Sequence, residues 1–338
     1  MPTRLFLSLV IWAEAMVLPL GGQTATHATK ETPRARAEAW TLPRMADGKP
    51  DLQGIWTNTT LTPLERIPEL AGKSTLIEDE ATAFEKQILD RVNFDRRDGG
   101  AETDVTRAYN NLFMDRGTQL ATINGEKRTS IVVDPPDGRV PPLTPEGSER
   151  VDTRTKAMQR MDGTQNRPLA ERCIMGQAST SGPPMLPGPY NNNYQIVQTP
   201  GYVMILVEQI HDVRIIRLDG RPHVPRSVRQ WMGDSLGRWE GDTLVVDTTN
   251  FTDKTGFRGS SDGLHVIERF TRVDASTILY QFTIDDPSTF TRAWTGEYPF
   301  LAAAGPIYEY ACHEGNYALG DILRGARLEE RAAQKPAK

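Results

Sequence analysis

From Tyr194 to Cys312 the chain spells one strand after another, and that run limits the folds open to it more than any other feature. YQIVQT, YVMILVEQ, DVRIIRL, TLVVDTTNF, LHVIERFTRV, TILYQFTI, RAWTGEY and IYEYAC are rich in β-branched and aromatic residues. Connections such as TPG (199–201), LDGRP (218–222) and DAS (274–276) are short, as antiparallel hairpins require. No long helix alternates with these strands, which argues against a parallel α/β sheet. Meandering strands of this number must close on themselves or have their edges covered. The expected fold is α+β, mainly β: an antiparallel meander curling into a barrel or half-barrel, with N-terminal helices packed outside.

The first half carries different grammar. LFLSLVIWA (5–13) follows a short basic start and precedes small residues, so 1–28 is expected to be a signal peptide. Residues 29–50 are polar and Pro-rich and form an extended lead-in. A single β-rich domain is expected over 51–338, with a helical and irregular part at 51–193 and the antiparallel part at 194–338. In EDEATAFEKQILDRVNF (78–94), Ala81, Phe84, Ile88 and Val92 recur at helical spacing behind three acids in the first turn. A second helix is expected from Pro145 to Met161, with Thr144 as its cap and Pro145 at its first position. ASTSGPPMLPGPYNNN (178–193) can continue neither helix nor strand and is a long loop.

Export bears on the two cysteines. In an oxidising compartment Cys173 and Cys312, 139 residues apart, are expected to form a disulfide. Loop-closure entropy credits such a bridge with roughly 4–5 kcal/mol at most. Two cysteines are too few for a thiolate zinc site, and no H-x-H, HExxH or EF-hand spacing occurs, so no metal is expected. The net charge of −5, from 39 basic and 44 acidic residues, leaves no footprint for nucleic acid. No later segment reaches the ~18 uncharged apolar residues of a permanent membrane anchor. The chain is therefore expected in the periplasm or outside the cell.

Candidate chemistry centres on histidines beside carboxylates, the usual equipment for proton transfer near neutral pH. His211 lies in LVEQIHDVRII with Glu208, Asp212 and Arg214 close by, where polar residues break the strand alternation and point to a bend. In LHVIERF one strand face carries Leu264, Val266, Glu268 and Phe270, and the other carries His265, Ile267 and Arg269. Either parity buries an ionisable group, which needs a partner. His313 and Glu314 are neighbours in HEGNY and on a strand would point to opposite faces. His223 sits in a turn. GSSDG (259–263) fits a nucleophile elbow at Ser261 only formally, because the flanking strand and helix are missing.

Several longer segments carry a resemblance. KPDLQGIWTN, GPYNNNYQIVQTPGYV, GRWEGDTLVVDTTNF and YEYACHEGNY resemble a family of exported bacterial proteins of unassigned function. That resemblance implies export and a β-rich fold and supplies no catalytic residues. Gly54-Ile55-Trp56 also resembles the G-x-W of lipocalin-like barrels, although a core tryptophan beside a glycine turn is the favoured explanation.

Two functional readings follow. The first is an extracytoplasmic enzyme acting on a small molecule by acid–base chemistry, of hydrolase, isomerase or lyase type, with His211, His265, His313, Glu208 and Glu268 as its proton-transfer set, helped by Tyr310. No dinucleotide or phosphate loop is present, so no cofactor is expected. The second is a non-catalytic envelope or secreted binding protein. Its ligand site would draw on Tyr190, Asn191, Asn192, Tyr194, Arg214, Trp239 and Tyr310, with Trp294 and Asn193 nearby. In both readings the partner is a small molecule. A structural component recruiting another chain through an edge strand is a third, weaker alternative.

Overall fold

The computed structural model describes residues 40–96, 99–106, 111–176 and 180–334. The expected signal peptide and the first part of the lead-in lie outside the described residues. In chain order the elements are β1 (Gly54–Thr57), β2 (Thr75–Leu76), α1 (Glu78–Arg91), α2 (Gly100–Thr106), β3 (Thr122–Ile123), β4 (Glu126–Arg128), β5 (Val132–Asp134) and α3 (Pro145–Gln159). They continue with β6 (Asn193–Gln198), β7 (Tyr202–Val207), β8 (Val213–Arg217), β9 (Asp234–Glu240), β10 (Thr243–Thr249), β11 (His265–Arg272), β12 (Thr277–Asp285), β13 (Trp294–Ala302) and α4 (Tyr317–Ala333).

Nine strands close into a barrel in the order β1-β6-β7-β8-β9-β10-β11-β12-β13, with β13 returning to β1. An odd number of strands cannot close with every neighbour antiparallel, so at least one pair must run parallel. That pair is β8 and β9. The antiparallel expectation therefore holds for the other pairs and is corrected here. LDGRP is not a hairpin turn but the start of a crossover, residues 218–233, that carries the chain back along the outer wall.

The wall alternates as a half-buried sheet must. On β12, Ile278, Tyr280, Phe282 and Ile284 face inward, and on β13 Trp294, Tyr298 and Phe300 do the same. Gly296 leaves the space that the Phe282 ring fills, since a Cβ there would lie 2.3 Å from the ring. Between β9 and β10 the two-residue turn places Gly241 at a φ of +59°, which its lack of a Cβ permits. Trp56 on β1 is buried, donates its ring N–H to the Leu52 carbonyl at 3.0 Å and lies under the Arg272 guanidinium.

The N-terminal helices form as their sequences direct. α1 buries Ala81, Phe84 and Ile88 in a second, smaller core with Leu61, Leu76 and Leu120, beside the short sheet β2-β4-β3. α3 starts at Pro145, and Thr144 Oγ1 accepts from Gly147 N–H at 3.0 Å. Two expectations fail at the C-terminus. IYEYAC is not a strand, and YALGDILRGARLEERAA is helix α4. The closed barrel offers β-prone residues after β13 no free edge to pair with, because β13 already lies between β12 and β1. Cys173 and Cys312 form the expected disulfide, with Cα atoms 5.8 Å apart.

Candidate functional site

The barrel lumen holds a sealed polar network instead of an open pocket. Arg214 on β8 meets Glu268 on β11 at 3.0 Å and 2.5 Å, with both side chains essentially inaccessible. The inward parity of β11 is therefore the one that buries Glu268, and its partner is Arg214. Burial pulls the Arg214 guanidinium down while the Glu268 carboxylate raises it further, so the arginine stays charged. Tyr280 donates its hydroxyl to Glu268 at 2.8 Å and accepts Met185 N–H at 3.0 Å. Tyr298 donates to the Met185 carbonyl, and Asn58 donates to the hydroxyls of Tyr298 (3.0 Å) and Tyr194 (3.1 Å). Tyr194 donates in turn to the Thr180 carbonyl at 2.8 Å. Burial pushes all three tyrosine hydroxyls up, so they stay neutral donors.

This network explains the Pro/Gly-rich loop. A loop without regular structure brings unpaired backbone groups wherever it is buried. Here the lumen hydroxyls satisfy Thr180 C=O and both backbone groups of Met185, whose side chain is fully buried. The loop thereby plugs the barrel. Its outer side, with Leu186 and Pro187, forms the floor of a cleft of about 940 Å³. The walls come from the 60–64 segment, Ala157 and Met158 of α3, the 165–172 loop and the 253–258 loop. Ser181 anchors one wall: it donates to Asp212 at 2.5 Å and accepts Gly176 N–H at 2.7 Å. Burial pushes the Asp212 carboxyl up, and the Ser181 hydrogen bond opposes it.

The charged lining is one-sided. Five arginines (Arg116, Arg154, Arg167, Arg172 and Arg258) and Lys254 face the cleft, against a single acid, Asp253. None of the four histidines among the described residues lines it.

The proposed proton-transfer set is dispersed. His211 is exposed and lies 3.2 Å from the Tyr310 carbonyl through Nδ1. It follows Ile210 in a tight turn between β7 and β8, where both residues take positive φ, 62° and 48°. The expected bend is there, and a β-branched residue in that region is rare. Glu208 is buried and accepts from Asn193 N–H at 3.2 Å and its side-chain amide at 2.8 Å. His313 is exposed in the tail. No two side chains of His211, His265, His313, Glu208 and Glu268 share a hydrogen bond among the described residues.

The expected ligand residues are mostly structural. Tyr194 and Arg214 belong to the lumen network, and Trp294 is core. Asn192 closes the turn by accepting Gly188 N–H at 2.7 Å and donating to the Gly188 carbonyl at 3.1 Å. Asn191 takes a left-handed φ of 54°, a conformation asparagine tolerates. Tyr190 is half-buried, and Trp239 packs against the core from β9. None of Tyr190, Asn191, Asn192, Trp239 and Tyr310 lines the cleft.

His265 instead stands on the outer wall in a row of acids and imidazoles. Its Nε2 lies 3.1 Å from Asp247 Oδ1, and His223 Nε2 lies 3.1 Å from the same oxygen. His223 Nδ1 lies 3.0 Å from Asp234 Oδ2, so the 218–233 crossover is fastened to the wall there. Among the described residues no group of three or more His, Cys, Asp or Glu side chains is arranged to hold a metal ion. The Asp247 hydrogen bond raises His265 against the opposing effect of burial, and the same bond lowers Asp247. From ordinary values of 3.8 and 6.5, the pair contributes fully between those two limits and is lost as pH rises through the raised value of His265. A half-exposed pair of this kind contributes about 0.5–1 kcal/mol. Urea midpoints measured from pH 5.5 to 9 are expected to fall with pH in the wild type and to lose that slope in His265→Gln. An equal slope in both proteins contradicts the assignment.

Comparison with known proteins finds no matching family model, no matching curated protein and no matching solved structure. Functional inference therefore rests on the cleft itself. No helix among the described residues is long and apolar enough to cross a membrane.

Proposed function

We propose that this chain is an exported, non-catalytic binding protein whose small-molecule ligand sits in the cleft over the barrel plug. The observation that carries this reading is the cleft: about 940 Å³, at the upper end of the range for small-molecule sites, and built over an apolar floor. Inside the barrel the lumen is occupied by buried aromatic rings and the Arg214–Glu268 pair. Acid–base catalysis in the cleft would lack an imidazole, because the four described histidines lie elsewhere. The disulfide suits an oxidising compartment and agrees with export.

The test uses a neutral probe that fluoresces in apolar surroundings, N-phenyl-1-naphthylamine. Saturable binding at one site per chain is expected. Ala157→Trp places an indole in the cleft from α3, and binding is expected to weaken at least ~10-fold, the effect of losing about 1.4 kcal/mol. Its unfolding free energy should change by less than about 1 kcal/mol, the helix-propensity difference between the two residues. Failure to saturate, or unchanged binding in Ala157→Trp, removes the cleft as the ligand site.

A further inference from the structure

The cations of the cleft divide into two groups. Arg154 is spent on the wall, donating to the carbonyls of Ser260 (2.8 Å) and Asp253 (2.6 Å). Arg167 forms a two-pronged pair with Glu171 at 2.8 Å and 3.0 Å. Arg258 pairs with Glu65 at 2.9 Å. These three hold loops in place.

The remaining three have no such partner among the described residues. Among the described residues no carboxylate or carbonyl meets the side-chain nitrogens of Arg116, Arg172 or Lys254. Arg116 stacks on Phe94, with Cζ 5.1 Å from the ring centroid. Stacking occupies the flat face of the guanidinium and leaves its N–H edges for an acceptor. Arg172 is half-buried, one residue before Cys173, so the disulfide fixes the backbone beneath it. Partial burial of Arg116 lowers its affinity for a proton, a sign that its charge is incompletely hydrated. The whole chain carries more acids than bases, 44 against 39, so this concentration of positive charge is local to the cleft.

Building on the reading that the cleft takes a small molecule, we infer that its ligand is an amphipathic anion: a carboxylate or similar oxyanion head held by Arg116, Arg172 and Lys254, with an apolar body lying on Leu61, Leu64 and Leu186. For half-buried Arg116 and Arg172 a charge beside apolar surface without a partner is unfavourable, and an incoming oxyanion removes that penalty with charge-assisted hydrogen bonds, while exposed Lys254 adds attraction from the rim. The apolar floor then adds affinity in proportion to the area that the ligand body covers. A neutral ligand of the same shape gains only the second contribution. A cationic one meets repulsion from Arg116, Arg172 and Lys254, whose charge no acid of the described residues offsets.

The experiment is displacement of N-phenyl-1-naphthylamine by three ten-carbon compounds kept below their micelle concentrations: decanoate, decanol and decyltrimethylammonium. Decanoate is expected to displace the probe at ~10-fold or more lower concentration than decanol, as charge-assisted bonds to arginine imply. The ammonium compound is expected to be the weakest. In Arg116→Ala/Arg172→Ala decanoate should lose most of its advantage over decanol, with decanol affected much less than decanoate, and Arg172→Lys in place of Arg172→Ala should restore part of it. If decanol or the ammonium compound matches decanoate in the wild type, the anionic assignment is overturned while the cleft still stands as the binding site. If the probe binds but the double variant keeps the decanoate preference, the head-group residues are wrong. If neither probe nor any of the three compounds binds, the binding reading and the inference fall together.

Discussion

Glu268→Gln is expected to destabilise the fold by about 3–5 kcal/mol, the cost of leaving a buried guanidinium without its counter-charge. Glutamine keeps the volume of the side chain, so the loss reports charge and not a cavity. Arg214 cannot turn to water, because its side chain is 1% exposed inside the closed barrel. Tyr280 also loses a charged acceptor at 2.8 Å, and Tyr280 is the group that receives Met185 N–H. Damage should therefore spread to the plug and to the cleft floor above it. The double variant Arg214→Met/Glu268→Leu removes both charges and fills the same space. It is expected to recover most of the loss and to lie within about 2 kcal/mol of the wild type, because a buried ion pair is often no more stabilising than apolar groups of equal volume. Urea unfolding of the wild type, Arg214→Met, Glu268→Leu and the double variant measures the coupling directly. A Glu268→Gln protein within 1 kcal/mol of the wild type would falsify the picture of a charged, desolvated pair.

That pair also shows what the sequence could and could not reveal. Alternation in LHVIERF already stated that either Glu268 or His265 had to be buried. The partner was beyond reach, because β8 and β11 are separated by β9 and β10 in the wall and meet only across the lumen of a closed barrel. Strand alternation was legible over most of the run from Tyr194 onward because burial on one face leaves a period of two, but β9 was missed, since DSLGRWE alternates poorly and carries no β-branched residue. The parallel pair was not legible, since β9 itself was missed and the odd strand count also depends on β1, a four-residue strand far upstream. The tail was misread for a related reason. IYEYAC has strand propensity, and propensity yields wherever pairing partners are already taken. α4 had a usable signal in Leu319, Ile322, Leu323 and Ala326, which recur at helical spacing and form its less exposed side.

The candidate site was the least legible part. Histidines stand out in a sequence because their chemistry is distinctive, and the search for proton transfer followed them. The cleft cations arise one at a time from separate loops, and each alone reads as a solvated surface charge. Only the closed barrel, the plug and the disulfide bring Arg116, Arg172 and Lys254 around one hollow. Over 180–192, the described part of the loop outside β6, the chain is irregular as expected. Its role as a plug depends on Tyr194, Tyr280 and Tyr298, which as strand residues look like ordinary core aromatics.

Removing the disulfide is the second perturbation expected to have a large effect, and it separates stability from function. The bridge closes a loop of 139 residues that contains every barrel strand except β1. Loop-closure entropy sets a ceiling of about 5 kcal/mol on what it contributes, and native structure that survives without it lowers the figure. Such structure is scarce at the C-terminal end. α4 buries no side chain, and the described bonds holding the tail include Asn316 to the Glu171 carbonyl, Arg327 to the Asp162 carbonyl and His211 to the Tyr310 carbonyl. Cys173→Ser/Cys312→Ser is therefore expected to lose about 2–4 kcal/mol, the usual range for a native bridge. Amide exchange should accelerate first over 303–333 and then over 165–176, ahead of the barrel strands. The same loop carries Arg172 into the cleft, so decanoate should lose affinity in the serine variant, while decanol should lose much less. Uniform acceleration of exchange across the barrel would show that the bridge acts only on the unfolded chain. Unchanged exchange at 165–176 together with unchanged decanoate binding would show that the cleft wall stands without it.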